Sequence, residues 1–335
     1  MSGGITQLVS IGAQDVHLTG QPEVSFFHST YKRHTNFSHV VERQLIQGNP
    51  TTGGTSTVRF ERKGDLLGYT YLTLKDDANS NVSPNKNYIS KVELLIGGQV
   101  VDDHDDVFIR QLAQNLLVGS NGKSVNTSSF FYPLHFFFCE SWQSALPLVA
   151  LQYHDVELRI TWGTVPANHS VECFACYVYL DEVERTRVST TKHDMLITQT
   201  QKAVRSGGHI QELVFNHPVK FLAANTAVVA EPTKKTIKLQ LNGTDVTTER
   251  MHTPHFDRVP VYHHCPYNLD NDDVGFLYPF CLDTNKNQPS GSLNFSRMDT
   301  VRLVTDGVFD QADIYAVNYN ILRIQNGMGA LMYAN

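Results

Sequence analysis

The same pattern of residues occurs twice in this chain, and a duplication restricts the possible folds more than any single motif does. Lys91-Val92-Glu93-Leu94-Leu95-Ile96 alternates apolar and polar side chains for most of its length, meets Gly97-Gly98, and resumes with Gln99-Val100-Val101. Alternation of period two marks a half-buried strand, and Gly-Gly supplies the positive φ angles of a tight hairpin turn. Further on, Ile237, Leu239 and Leu241 alternate with Lys238 and Gln240 before Asn242-Gly243 turns the chain. Gly97 and Gly243 lie 146 residues apart, as do Tyr132-Pro133 and Tyr278-Pro279, each read as opening an apolar strand. Val156 and Leu158 match Val301 and Leu303 at an offset of 145. The closing strands of the two halves, Phe174 to Leu180 and Tyr315 to Ile324, follow in the same order. One match between hairpins means little, but three ordered pairs at one spacing predict two tandem copies of one unit.

A unit of about 146 residues holds eight strands of ordinary length with their loops. Phe (18) and Tyr (14) are plentiful and Val and Thr recur, which favours strands. Helix signals are too sparse for an α/β fold, which needs helices between most strands. The clearest helix follows the first hairpin. Asp102, Asp103, Asp105 and Asp106 gather where the positive end of its dipole would lie. Phe108, Leu112 and Leu116 then recur every four residues, and Gly119 is placed to end it. The expected fold is all-β: two tandem sandwiches of antiparallel sheets with short helices in the loops. The expected division is an N-terminal arm over residues 1–24, a first sandwich over 25–182, a charged linker over 183–190 and a second sandwich over 191–335.

Formal net charge is −6, and the first twenty residues contain no Lys or Arg. Phosphate contacts dominate nucleic-acid affinity, and adjacent basic pairs such as Lys32-Arg33 and Lys234-Lys235 read as solvated strand ends, so direct nucleic-acid binding is not expected. Met1-Ser2-Gly3-Gly4 has neither the charge nor the apolar run of a secretory signal. No window approaches eighteen apolar residues, so no membrane span is expected. Five Cys do not make a disulfide framework, which points to a reducing cytoplasmic origin.

The chemistry-bearing residues favour structure over catalysis. Cys173-Phe174-Ala175-Cys176 is a C-x-x-C, but on a strand positions i and i+3 point to opposite faces, and no second pair completes four ligands. His263-His264-Cys265 with Cys281 lacks the closely spaced His ligands of a tandem-barrel metalloenzyme. Asp102–Asp106 and Asp270–Asp273 could attract Ca²⁺, yet the first lacks the EF-hand Gly and Glu and the second lacks complete ligand spacing. Asn36, Asn81, Asn126, Asn168, Asn242 and Asn294 stand in three-residue glycosylation patterns, which arise often by chance. Nucleophile-elbow, P-loop and dinucleotide fingerprints are missing. No catalytic residue, metal or cofactor is therefore expected, and the chain is not read as an enzyme. A carbohydrate-binding module would need exposed aromatic platforms, whereas Trp142 and Trp162 both sit in apolar runs.

Several runs resemble the major capsid proteins of nucleocytoplasmic large DNA viruses. They include Gly4 to Gly20, Phe26-Phe27, Tyr31 to Phe37, Ile96 to Gln99 and Leu146 to His154. Gln288 to Arg297, the most family-specific run, is followed by Ala316 to Ile324 and Gly327-Met328-Gly329. The resemblance implies that each sandwich is a jelly roll, giving a double jelly roll. It implies a homotrimeric, pseudo-hexagonal capsomer, since three chains with two similar modules each present six modules around a threefold axis. It further implies an icosahedral shell over an internal membrane that the protein does not enter, with neighbouring capsomers, penton proteins and minor capsid proteins as partners. The location implied is the virion, assembled in host cytoplasm. The chain is shorter than most relatives, which suggests a smoother outer surface and leaves a minor or paralogous capsid subunit as the alternative. The residues singled out are architectural: Gly97, Gly98, Asn242 and Gly243 set hairpin turns, Pro289 and Gly291 shape the loop before a late strand, and the arm 1–24 reaches toward neighbours or minor proteins.

Overall fold

A computed structural model describes residues 3–76, 81–82, 87–118, 131–165, 169–265 and 274–334. Two compact units divide the chain, one up to Asn36 and one from Phe37 onward. The first contains the helices Gly3–Val9 and Val16–Thr19, and Asp15 ties its turn by accepting the Gly12 N–H at 2.7 Å. Its apolar side chains are open to solvent, Phe26 and Phe27 being 93% and 99% exposed. Among the described residues no strand precedes Phe37, and residues 25–36 group with this terminal segment.

The second unit contains four antiparallel sheets. β1 (Phe37–Gln44), β2 (Thr55–Arg59), β3 (Leu66–Lys75), β4 (Ile89–Ile96), β5 (Gln99–Asp105), β6 (Val156–Trp162) and β7 (Ser170–Leu180) build the first pair. One sheet runs β1-β7-β3, and the facing one runs β2-β6-β4-β5. β8 (His193–Ala203), β9 (Ile210–Glu212), β10 (Pro218–Ala224), β11 (Thr236–Leu241), β12 (Phe276–Pro279), β13 (Val301–Thr305), β14 (Ile314–Gln325) and β15 (Met328–Leu331) build the second pair. Their orders are β8-β14-β10-β12 and β9-β13-β11, with β15 on β14. Advancing every label in β1-β7-β3 and β2-β6-β4 by seven reproduces the second pair. The duplication in the sequence is thus a duplication of topology.

Register sharpens this. Leu94 faces Leu158 and Leu239 faces Leu303, and both members shift by 145. At that offset Gly97-Gly98 corresponds to Asn242-Gly243, so Gly97 aligns with Asn242 rather than with Gly243. The φ angles agree: +59° and +81° in the first turn, +49° and +80° in the second. Asn is a residue that tolerates this left-handed conformation, which hid the correct alignment behind two different letters. Tyr132-Pro133 and Tyr278-Pro279 pair with equivalent strands, Tyr132 opposite Leu72 and Tyr278 opposite Leu222. The second pair ends its strand instead of opening it.

Alternation explains the cores. In β6, Val156, Leu158, Ile160 and Trp162 are buried while the intervening residues are only partly so. They join Leu67, Leu72, Val92, Leu94 and Tyr177 between the first two sheets. Leu222, Ile237, Leu239, Phe276, Leu303 and Ala316 fill the second sandwich. Between the sandwiches lies the helix Glu182–Thr190, capped by Asp181, whose carboxylate accepts the Val183 N–H at 2.9 Å. None of its residues is buried, and Arg185 pairs with Asp65 of the first sandwich at 2.9 Å.

Candidate functional site: the seam between the sandwiches

Polar and apolar contacts between segments distant in sequence meet where the sandwiches join. After β5 the backbone turns into a helix whose central stretch, Phe108–Ala113, is wound as a π-helix. The sequence places four Asp at this helix start, and the structure divides them. Asp102, Asp103 and Asp105 still belong to β5. Only Asp105 caps, accepting the Phe108 N–H on Oδ1 at 2.9 Å. Gly119, expected to end the helix, lies outside the described residues.

Phe108, Leu112 and Leu116 do recur on one face, but that face serves the other half of the chain. They pack with Phe221 and Ala223 of β10, Leu277 of β12, and Tyr315 and Val317 of β14. β14 is consequently buried on both faces over Ile314–Asn320, with Ile314 and Ala316 in its own core and Tyr315 and Val317 at the seam. A strand covered on both sides does not show clean alternation.

Carboxylates and amides stitch the same seam. Asp102 accepts the Thr200 N–H at 2.9 Å and pairs with His104 Nε2 at 2.9 Å. His104 stacks on Phe136 with centroids 4.7 Å apart. Asp105 Oδ2 accepts from Tyr315 Oη at 2.6 Å and from Lys202 Nζ at 2.9 Å, and Lys202 also meets Asp313 at 2.9 Å. Gln199 donates to the Val101 carbonyl and accepts from Asn320 Nδ2 at 2.8 Å. Buried polar groups partnered across the seam favour one arrangement of the parts they join, although His104 Nδ1 has no hydrogen-bond partner among the described residues. The acidic run that suggested a cation is used here for contacts between segments a hundred residues apart.

Burial, and then the charge of Asp105, push the Tyr315 phenol far above its ordinary value of about 10. Above that pH the unfolded chain releases this proton while the folded chain holds it, so the folded state binds more protons and stability falls as pH rises. Tyr315→Phe removes this contribution. The slope of unfolding free energy against pH should become shallower by about 1.4 kcal/mol per pH unit between roughly pH 10.5 and 12. Urea unfolding at a series of alkaline pH values measures it; an unchanged slope would show that Tyr315 ionises as readily folded as unfolded.

A second connection joins β15 to the loop before β6. His154 Nδ1 lies 2.9 Å from the Gly329 carbonyl, and the Tyr153 N–H donates to the Gly327 carbonyl at 2.9 Å. A Cβ on Gly97 would collide with the His154 ring. The first hairpin turn therefore lies directly beneath a contact with the second sandwich, which its Gly-Gly signature does not disclose. Asn242 also does more than turn: its side-chain oxygen accepts the N–H groups of Asp299 and Thr300 at 2.9 and 3.0 Å. Gly291 has φ +138°, and a Cβ there would approach the Phe280 carbonyl at 2.5 Å. Neighbouring Ser290 accepts the Leu282 N–H on its carbonyl at 3.3 Å, while Pro289 is exposed. These turn residues are distributed over both sandwiches and do not converge.

The remaining candidates have local explanations. Cys173 joins the first core, whereas Cys176 faces away, its thiol beside Tyr69. Burial raises Cys173 to about 12, far from a reactive thiolate. His264 Nδ1 lies 3.0 Å from the Leu282 carbonyl. Among the described residues no three His, Cys, Asp or Glu side chains gather as a metal site. Asp270–Asp273, Asn126 and Asn168 lie outside the described residues. Trp162 is buried with its N–H on Ser56 Oγ at 2.8 Å. Trp142 corrects the expectation drawn from its apolar surroundings: it is 56% exposed, beside Tyr69 at 5.7 Å and His39 at 5.8 Å. Its neighbours in sequence, Phe137, Phe138 and Leu146, take the buried positions.

Comparison with known proteins matches residues 25–181 to the family described as major capsid protein N-terminus. Residues 223–330 match the family described as large eukaryotic DNA virus major capsid protein. The major capsid protein of Pyramimonas orientalis virus is 34% identical, and that of Paramecium bursaria Chlorella virus 1 is 30% identical, with both chains fully covered in each case. Among solved structures, PBCV-1 VP54, fitted into a reconstruction of the virophage Sputnik, superposes with a TM-score of 0.77 at 26% identity, over 93% of this chain and all of that one. The Faustovirus major capsid protein superposes at 0.65 with 10% identity, over 94% of each chain, a likeness of fold alone.

Proposed function

Because this chain belongs to the major capsid protein family of large eukaryotic DNA viruses, we propose that three copies join into a pseudo-hexagonal capsomer. The chain is a structural capsid subunit with a double jelly-roll fold, and its place is the capsid of the virion. The observation that carries this reading is identity of 34% over the whole of both chains, so that neither sandwich stands outside the match. Its role is architectural: the conspicuous polar clusters are used to hold one sandwich against the other.

The trimer is supported by the repeat. Two equivalent modules per chain give six modules in a closed ring of three, and closed rings are the common outcome of head-to-tail contacts. Such capsomers would tile an icosahedral shell over an internal membrane, with penton and minor capsid proteins as further partners and assembly in host cytoplasm. Among the described residues no helix is long and apolar enough to cross a membrane. The exposed aromatic residues of the terminal segment, Phe26, Phe27 and Tyr31, suit contacts with such partners, because exposed apolar groups concentrated in one segment mark interaction sites. The alternative, a minor capsid subunit of the same fold, is favoured by chain length. The match to the Pyramimonas orientalis virus protein runs over 401 positions against 335 residues here.

Light scattering on the purified full chain tests the trimer. Three chains of 37.6 kDa give about 113 kDa, with hexagonal particles in negative-stain images. A stable 37.6 kDa species at micromolar concentration would exclude it.

A further inference from the structure

The internal repeat equates surfaces as well as strands, and one equivalent pair is left half-made. Val92 pairs with His104 and Ile237 with Met251, so the chain beyond each hairpin is in step at an offset of 147. On that offset the seam helix that begins at Asp106 corresponds to the helix Thr253–His264. Core packing checks the alignment independently: Ile109 corresponds to Phe256, and each is buried in the core of its own sandwich. Phe108, Leu112 and Leu116, which cover the second sandwich, then correspond to His255, Val259 and His263. That face is open toward its C-terminal end, with Val259 43% exposed, the adjacent Tyr262 78% exposed and His263 exposed, while His255 is half-buried.

The receiving surface has its counterpart too. Leu72 faces Tyr132 and Cys173, while Leu222 faces Tyr278 and Ala316. Phe221, Leu277 and Val317, which receive the seam helix, therefore correspond to Tyr71, Phe131 and Phe174. These three rings form one cluster on the outer face of β1-β7-β3, with Tyr71 to Phe174 at 5.2 Å and Tyr71 to Phe131 at 5.7 Å. They are only partly buried, and Tyr69 and Trp142 extend the apolar surface beside them.

We propose that the helix Thr253–His264 of one copy packs on the outer face of β1-β7-β3 of the next copy, Val259 and Tyr262 lying against Tyr71, Phe131 and Phe174. The contact repeats between chains what the seam helix does within one. It rests on the trimeric reading and adds to it the two surfaces that meet. The occupant of the aromatic face is a second copy of this chain because the matching helix already covers the matching face once in each chain. Alternating three contacts within chains and three between them closes a ring of six modules.

Val259→Glu tests the helix side at an exposed position, where folding tolerates the change. Val259→Cys combined with Phe174→Cys tests the pairing itself. Light scattering should find wild type as a trimer and Val259→Glu dissociated, its self-association weakened roughly 30-fold or more, with an unchanged circular dichroism spectrum. Under oxidation the double-cysteine chain should give disulfide-linked dimers and trimers on non-reducing gels, above the level of either single-cysteine control. A trimeric Val259→Glu chain together with no cross-link above those controls would overturn this interface while leaving the trimer standing. A monomeric wild type would overturn both.

Discussion

Gly97→Val is expected to lower the stability of the folded chain by about 3 kcal/mol or more, several times the effect of a typical surface substitution. Two costs coincide at this position. The backbone is at φ +59°, where an L residue costs about 1–2 kcal/mol and a β-branched one is a genuine outlier. A Cβ would also meet the His154 ring, adding an overpacking cost of about 1–3 kcal/mol. His154 is not free to withdraw, since its Nδ1 lies against the Gly329 carbonyl at 2.9 Å. Gly243→Val at the equivalent turn isolates the first cost, because φ is +80° but nothing lies within 4 Å of the added atom. It should lose only about 1–2 kcal/mol. Urea unfolding of the two variants side by side measures the difference. Equal losses would mean that His154 moves aside and that the turn is not coupled to the second sandwich.

Phe108→Ala should cost about 3–5 kcal/mol, the usual range for a fully buried aromatic residue. Phe108 is 1% exposed, with ring centroids 4.8 Å from His104 and 5.8 Å from Tyr315. It extends from the first sandwich into an apolar cluster composed largely of second-sandwich residues. Its removal should therefore also loosen the coupling between the two, so that a single cooperative transition in urea separates into two. A loss below about 1 kcal/mol with one unchanged transition would assign the seam's strength to the carboxylate and amide contacts instead.

Particular residues show where local pattern suffices and where it does not. Strands such as β6 are legible because one of their faces meets a core and the other does not, which imprints period two on the letters. The hairpin turns are legible because positive φ restricts the choice to Gly and Asn. The duplication is legible because both copies obey those same local rules. Asp102 and Asp105 are different. A cluster of Asp before an apolar helix is the signature of a cap, and one of the four does cap, yet no local rule states that two of them reach Thr200, Lys202 and Tyr315. Trp142 fails for a related reason: the residues around it in sequence are buried, but it stands on the outer face of a sheet.

By itself, then, the sequence determined that there are two copies of one antiparallel sandwich, where many of their strands run and where two principal hairpins turn. These properties depend on residues within a few positions of one another. Only the tertiary structure decided how far each outer sheet face is covered: β14 is buried on both faces over Ile314–Asn320, while Tyr71, Phe131 and Phe174 on the outer face of β1-β7-β3 are only partly buried. That choice depends on how two similar modules pack, and packing is set by shape and partner groups a hundred residues away, which leave no period in the chain to read.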